Sequence, residues 1–380
     1  MSAQSAMSPG SWPSARTGRG GGWPGLGAAL AAVSWLTSPL SPDDFLGLLD
    51  PLWSARHPAG RVTSVRREAP GAATLAIRPG RGRRGHRAGQ YLPLGVEIGG
   101  VFHWRTYSIT SPGTVRPAGE VTVTVKARSD GRVSPHLVHR TPPGTVLRVG
   151  PPQGDFVLPR SLPGRLLFVT AGSGITPVMG MLRTLARHGS TAPDCLLLHS
   201  APSPAECLFR TELAAMERWL PWLTIRLTHT RTDGRLTGDR IAALCPDWRR
   251  RDTYVCGPSG LLDATERQWE AAGVRDRLRV ERFHLAPLLP PGADAVGGRV
   301  RFTRDGPWVD AAPGTPLLAV GESAGVPMPY GCRRGLCLGC LVPLVDGRVR
   351  DLRTGELRGE PGELIQTCVN GAAGPLVLGL

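Results

Sequence analysis

Four cysteines near the carboxyl end constrain this chain more than any other feature. Tyr330-Gly-Cys332-Arg-Arg-Gly-Leu-Cys337-Leu-Gly-Cys340 gives the pattern C-x4-C-x2-C, and Cys368 follows on a separate segment. That is a spacing of thiolates around a [2Fe-2S] cluster. Three thiolates on one tight loop wrap one side of the iron–sulfur rhomb, and a fourth from a distant strand completes tetrahedral sulfur at the second iron. Gly331, Gly335 and Gly339 suit a loop that curls closely around inorganic sulfur, whose charge is eased by backbone N–H donors. Two blander readings stand beside it, a zinc knot and four reduced core cysteines. Zinc sites usually use two C-x2-4-C pairs, and here the fourth cysteine has no near partner. The expected metal ligands are therefore Cys332, Cys337, Cys340 and Cys368, with iron favoured over zinc. Cys195, Cys207, Cys245 and Cys256 are scattered, and eight cysteines in 380 residues are too few for a disulfide scaffold.

One metal loop accounts for little of a chain this long, and the length predicts two or three domains. No run approaches the ~18 apolar residues that would cross a bilayer. The 50 glycines and 37 prolines predict many turns and short elements. A formal charge of +15 suggests nucleic acid until its distribution is read: Lys126 is the only lysine, and the other basic residues are arginine. Residues 58–160 carry 16 basic against 5 acidic residues, whereas 298–380 carry 9 against 8. The excess belongs to one domain. Such a face suits a phosphorylated cofactor, an acidic partner or a lipid surface. Nothing in the sequence has a nucleic-acid-binding pattern, so no nucleic-acid partner is expected.

The periodicity changes twice along the chain. Residues 1–57 form an N-terminal extension: 1–42 read as disordered, and Ser41 to Trp53 opens with a helix-start signature that puts Phe45, Leu48, Leu49 and Leu52 on one face. Residues 58–160 show short β segments, among them the strict alternation Val121-Thr-Val-Thr-Val125, and predict an antiparallel β-barrel. Residues 161–288 alternate buried strands with helices, including Val178–Arg187 and Leu208–Trp219, which implies a parallel sheet with helices on its faces. Residues 289–298, within a Pro/Gly/Ala-rich stretch, read as a linker. Residues 299–380 make a third small domain.

Four further segments carry a resemblance. Arg105-Thr-Tyr107-Ser108-Ile-Thr110 resembles the R-x-Y-S-x-[ST] motif of the ferredoxin-NADP reductase superfamily. Gly131-Arg-Val-Ser134-Pro-His-Leu137 resembles its G-x-x-S-x-x-L element. Gly172-Ser-Gly174-Ile-Thr176-Pro177, with Cys256-Gly257-Pro258, is similar to its nicotinamide-domain motifs. Residues 299–380 look like a plant-type ferredoxin domain. The resemblance implies a multidomain fold: an antiparallel β-barrel flavin domain, an α/β parallel-sheet nicotinamide domain and an α+β β-grasp ferredoxin domain.

By the same resemblance, Arg105 pairs with flavin phosphate, Tyr107 stacks on the flavin ring and Ser108 lies near its N5. Gly131 and Ser134 hold the pyrophosphate at a helix start, where free N–H groups favour anions. This favours FAD, with FMN left open. Cys256 would sit beside the nicotinamide, unless it is simply a small core residue. Ser108 and Cys256 are the expected catalytic positions. Glu281 and Phe283 look like residues that close the nicotinamide domain.

No carboxylate ends Leu198-His199-Ser200, where NAD-specific domains often place one. Ser200, Arg210 and Arg231 are therefore expected around a 2′-phosphate, which favours NADPH. NADH stays open, because Phe209 to Leu213 resembles a helix of NADH-using relatives. The implied activity is that of an NAD(P)H:acceptor oxidoreductase, moving electrons from NADPH through FAD to the [2Fe-2S] cluster. Domain order, the Pro42-Asp-Asp-Phe45…Asp50-Pro-Leu-Trp53 lead-in and Asp346-Gly…Asp351-Leu-Arg-Thr-Gly355 look most like the actinobacterial partners of acyl-CoA desaturases. The expected acceptor is a di-iron fatty-acyl-CoA desaturase, with a hydroxylating oxygenase as alternative and a redox-sensing regulator behind both. The expected location is cytoplasmic, with peripheral contact at the membrane as an option.

Overall fold

A computed structural model describes residues 49–54, 58–81, 85–114, 119–129, 131–283, 296–303, 305–331, 333, 335 and 339–380. The expectations for residues 1–48, including Phe45 and Leu48, and for Cys332 and Cys337 lie outside these residues. So does most of the expected linker.

Asp50 caps the last turn of the lead-in. Its backbone is extended, its side chain accepts from the Leu52 N–H at 3.1 Å, and Pro51–Trp53 forms one 3-10 turn. The helix expected to run to Trp53 therefore does not cover its last residues: the residue before a proline is driven out of the helical region.

Six antiparallel strands follow: β1 (Ala59–Ala69), β2 (Ala72–Pro79), β3 (Tyr91–Ile98), β4 (Val101–Ser108), β5 (Val121–Lys126) and β6 (Val146–Val149), in the order β4-β3-β6-β1-β2-β5. A bridge from Ile109 to Val123 brings the two outer strands together and closes the barrel. Val121, Val123 and Val125 point into the core, as their alternation predicts. Thr124 is buried as well, because its hydroxyl meets that of Thr74 at 2.7 Å. Helix α1 (Val133–His139) lies after β5.

The next unit is a five-stranded parallel sheet. It comprises β7 (Arg165–Ala171), β8 (Asp194–Ala201), β9 (Leu223–His229), β10 (Asp252–Cys256) and β11 (Leu278–Glu281), in the order β11-β10-β7-β8-β9. Its helices are α2 (Ile175–Leu185), α3 (Arg210–Trp219), α4 (Gly238–Leu244) and α5 (Ser259–Ala271). Strand order reverses between β7 and β10, and in open α/β sheets ligands bind at that switch point, beyond the carboxyl ends of the strands. Helix α3 starts two residues later than Leu208 because Phe209 takes a left-handed conformation (φ 58°) while staying buried.

Barrel and sheet share a core in which Ala72, Ala88 and Phe156 pack with Phe168, Met181 and Tyr254. Helix α2 is pressed directly against the barrel. A Cβ on Gly180 would lie 2.6 Å from the Ile109 carbonyl oxygen, so only glycine permits the approach. Arg183 donates to the Thr110 carbonyl at 2.7 Å and holds Glu212 through two bonds of 2.7 Å. The Gly113 N–H donates to Thr184 Oγ1 at 2.9 Å.

The last unit is built from β12 (Gly298–Arg301), β13 (Trp308–Ala311), α6 (Leu317–Ser323), β14 (Leu341–Asp351), β15 (Leu357–Arg358), β16 (Leu364–Gln366) and β17 (Asn370–Leu378). The central pair β12 and β17 is parallel, their neighbours are antiparallel, and α6 packs on the sheet through Leu317, Leu318 and Val320.

Candidate functional site

The barrel's seam is where a ligand fits. Between β4 and β5 lies a cavity of about 440 Å³, lined by Arg105–Ser108, Thr124–Arg128 and Gly131–Ser134. The parallel-sheet domain closes it with Ser173 of the turn after β7, Thr176 of the first turn of α2, and Glu281–Phe283 at the end of β11. Strand periodicity gives Arg105 and Tyr107 one face. The polar Thr106 and Ser108 line the cavity as well.

Arg105 donates through Nη1 to the Trp104 carbonyl at 2.7 Å, which steadies the guanidinium at the rim. Burial pushes the Tyr107 phenol above its ordinary range, with Arg105 pulling the other way, so the ring stays neutral. Ser134 Oγ accepts from the Arg128 N–H at 3.1 Å. The cavity thus offers Arg105, Lys126, Arg128 and Arg132 for phosphate charge and a neutral tyrosine ring for a flat aromatic body. These residues fit FAD. Tyr91, Lys126, Arg128 and Arg132 are absent from the motif reading. Lys126 carries the one available signal, as the sole lysine at the end of the alternating strand.

At the switch point the two nucleotide motifs meet. Gly172 takes φ 56°, Thr176 Oγ1 donates to the Ser173 carbonyl at 2.9 Å, and Pro177 sits in the first turn of α2. A Cβ on Gly174 would fall 2.1 Å from the Cys256 carbonyl oxygen, so this glycine lets the turn touch the end of β10. Cys256 itself is fully buried and does not line the cavity; burial, then the Glu281 charge, push its thiol well up. Gly257 and Pro258 lead from it into α5. Ser200, Arg210 and Arg231 also stand outside the cavity. Ser200 is buried near the end of β8, Arg210 is exposed at the start of α3, and Arg231 holds Glu206 at 2.8 Å. The remaining scattered cysteines, Cys195, Cys207 and Cys245, are buried in the parallel-sheet domain.

Glu281 pairs with Cys256 across β11 and β10. Burial, then the charge of Asp155, raise its carboxyl to about 7. A raised acid is favoured in its protonated form, so the folded state binds the extra proton between about pH 4.5 and 7. Stability then falls as pH rises through that window, by about 3 kcal/mol at most. In flavin-depleted protein Glu281→Gln should flatten this slope, matching wild type near pH 4.5 and exceeding it at pH 8. Denaturant midpoints at the two pH values measure it; parallel pH profiles would remove Glu281 as the source.

In the third domain, Cys340 and Cys368 are buried with their sulfurs 3.2 Å apart, and the Gly335 N–H donates to Cys368 Sγ at 3.2 Å. Two adjacent sulfurs with a backbone N–H aimed at one of them are the donor chemistry an iron–sulfur cluster needs, and the fit holds for the described pair.

Three family models match in order: the oxidoreductase FAD-binding domain at residues 73–158, the oxidoreductase NAD-binding domain at 168–267 and the 2Fe-2S iron-sulfur cluster binding domain at 303–370. The chain is 48% identical over 357 residues to the NADPH oxidoreductase of Mycobacterium tuberculosis, covering 93% of each. It is 28% identical over 281 residues to the ferredoxin reductase component of 3-ketosteroid-9-alpha-monooxygenase from Rhodococcus rhodochrous, covering 70% of this chain and 78% of that one. Phthalate dioxygenase reductase has a similar fold, with a TM-score of 0.58 at 23% identity, over 85% of this chain and 97% of that one. Electrons pass from NAD(P)H to FAD to [2Fe-2S], the nucleotide giving two as a hydride and the cluster taking one at a time. The chain's own residues supply the placement: it belongs to the ferredoxin reductase superfamily of oxidoreductases, in the form that carries a C-terminal [2Fe-2S] domain.

Proposed function

We propose that this protein draws electrons from NADPH and delivers them singly to a di-iron fatty-acyl-CoA desaturase. The reductase part of the reading is carried by one observation. Arg105–Ser108 of the barrel and Ser173 and Thr176 of the nucleotide domain line the same cavity, which supports a flavin held by the first set beside a nucleotide held by the second. Ser108, buried on the cavity wall, is the residue proposed to hydrogen-bond at the reacting edge, a role supported by its lining the cavity. Cys256 acts from behind, as packing under the nucleotide turn. Carrying the ferredoxin on the same chain replaces a diffusional encounter with an intramolecular one.

The acceptor rests on the resemblance of the domain order, the lead-in and Asp346-Gly…Asp351 to Gly355 to the reductases of acyl-CoA desaturases. A second reading, a hydroxylating oxygenase, is supported by the similarity to the ketosteroid monooxygenase component. Reconstitution separates them. With NADPH and vesicle-embedded desaturase, this protein should give desaturated product well above a mock preparation; a response confined to an oxygenase would overturn the first reading.

For the nucleotide, NADPH is favoured because β8 ends without a carboxylate, and the 2′-phosphate would take Arg231 from Glu206, with Arg210 nearby in sequence. A kcat/KM at least about tenfold higher for NADPH, or about 1.4 kcal/mol, is expected; parity or a preference for NADH would reverse the assignment. No helix among the described residues is long and apolar enough to cross a membrane. Leu49 is 76% exposed and Trp53 39% exposed, so the lead-in is the segment proposed to touch a lipid surface. Vesicle flotation with and without residues 1–57 tests this, and equal flotation would exclude it.

A further inference from the structure

Strand β14 ends in a buried carboxylate. Asp351 is 2% exposed, and an unpaired charge in that position would be strongly destabilising. Arg353 satisfies it three times: the backbone N–H donates to Oδ1 at 2.8 Å, Nε to Oδ1 at 3.0 Å and Nη2 to Oδ2 at 2.6 Å. A guanidinium is a rigid planar fork, so fixing two of its nitrogens fixes the third. Nη1 is thereby directed at the Gly335 carbonyl oxygen, 3.4 Å away.

Gly335 belongs to the cysteine loop and has φ 69°. A Cβ there would lie 2.6 Å from Arg353 Nη1 and 3.0 Å from both Val369 methyl groups, so the guanidinium reaches this turn only because the residue is glycine. The other side of the same residue faces the metal ligands: the Gly335 N–H donates to Cys368 Sγ, itself 3.2 Å from Cys340 Sγ. A continuous path therefore runs from a buried carboxylate, through an arginine and one glycine, to two sulfur ligands.

We propose that Arg353 is a positioning residue of the [2Fe-2S] centre, holding the Gly335 turn against Cys368 and placing a fixed positive charge that raises the centre's reduction potential. Reduction would add one electron, drawn from the flavin, to an iron of the cluster, making the whole centre one charge more negative. A cation held beside them favours the reduced form, and net charge and hydrogen bonding at sulfur are among the established controls of such potentials. Asp351 draws on the far side of the guanidinium, through Nη2 and Nε, while Nη1 faces the loop, so the positive end of the pair is turned toward the cluster. The Asp351 hydrogen bond is the foremost influence holding the Arg353 charge in place, and the charges of Cys368 and Cys340 act on it in the same direction. The proposal rests on the [2Fe-2S] assignment and is independent of the acceptor.

The test is a dye-equilibrated redox titration of the full-length holoprotein, followed by the electron paramagnetic resonance of the reduced centre, with iron content measured alongside. Arg353→Gln removes the charge and keeps a donor near Gly335. It should shift the reduction equilibrium about tenfold toward the oxidised form, a fall of about 59 mV for a one-electron couple, at wild-type iron content. Arg353→Lys, which retains the charge, should recover most of that shift. An unchanged potential in the glutamine variant at full iron content would overturn the proposal, as would loss of iron from both variants, which would make Arg353 simply part of the scaffold. Should only the glutamine variant lose iron, the lysine variant decides: a potential near wild type supports the role of charge, and a tenfold shift overturns it.

Discussion

Replacing Cys368 by serine should abolish reduction of cytochrome c while leaving ferricyanide reduction close to wild type. A serine hydroxyl at neutral pH is neither charged nor soft, so one iron loses a thiolate that its sulfur coordination requires. Even the outer-shell partners of metal ligands cost about 10–100-fold when lost, so removing a ligand should cost about 100-fold or more. Ferricyanide accepts electrons from reduced flavin directly, and the barrel and parallel-sheet domains that build the flavin cavity contain no part of the cysteine loop. Visible absorption, iron content and the two acceptor rates measured on one preparation check this. Parallel loss of both rates would mean that the third domain is needed for the other two to fold.

Arg105→Ala should strip the protein of flavin. Arg105 stands at the barrel seam, braced by the Trp104 carbonyl, and no acidic residue lines the stretch of cavity beside it on β4. A hydrogen bond to a charged group contributes about 1.5–3 kcal/mol, so FAD affinity should fall about 10–150-fold. Flavin fluorescence released on gel filtration gives the measurement. Arg105→Lys keeps the charge but loses the planar fork, and should fall between the two. Unchanged retention in the alanine variant would shift phosphate binding to Lys126, Arg128 and Arg132 across the cavity.

Much of this was legible in the residues, for reasons that differ from place to place. The alternation of Val121 to Val125 and the uninterrupted apolar run in Arg165 to Thr170 are direct consequences of one-faced and two-faced burial, and both became strands. The glycine turn at 172–174 and Cys256-Gly257-Pro258 could be recognised separately. That they meet, with Gly174 against the Cys256 carbonyl, depends on a sheet order that brings β7 beside β10 across 80 intervening residues. Local pattern carries no trace of such pairing. Arg128 and Arg132 were hidden for a simpler reason: a basic residue on a loop reads the same whether it faces solvent or a phosphate. Leu208 and Phe209 read as helix by composition, and the left-handed turn at Phe209 is a tertiary choice, made because its ring is buried with Arg183 stacked over it at 5.4 Å. The helix expected through Trp53 failed on a rule the sequence did state, the proline at 51.

The missing side chain at residue 180 has a bearing on how such proteins can be recombined. With α2 seated on the Ile109 carbonyl and stitched to Thr110 and Gly113, the first two domains are not interchangeable cassettes, whatever their separate folds suggest. A chimera spliced between β6 and β7 would bring a foreign helix, with any larger residue at that place, onto a surface shaped for none. The workable splice lies beyond Phe283, so that the hydride-handling half travels whole and only the one-electron wire is exchanged.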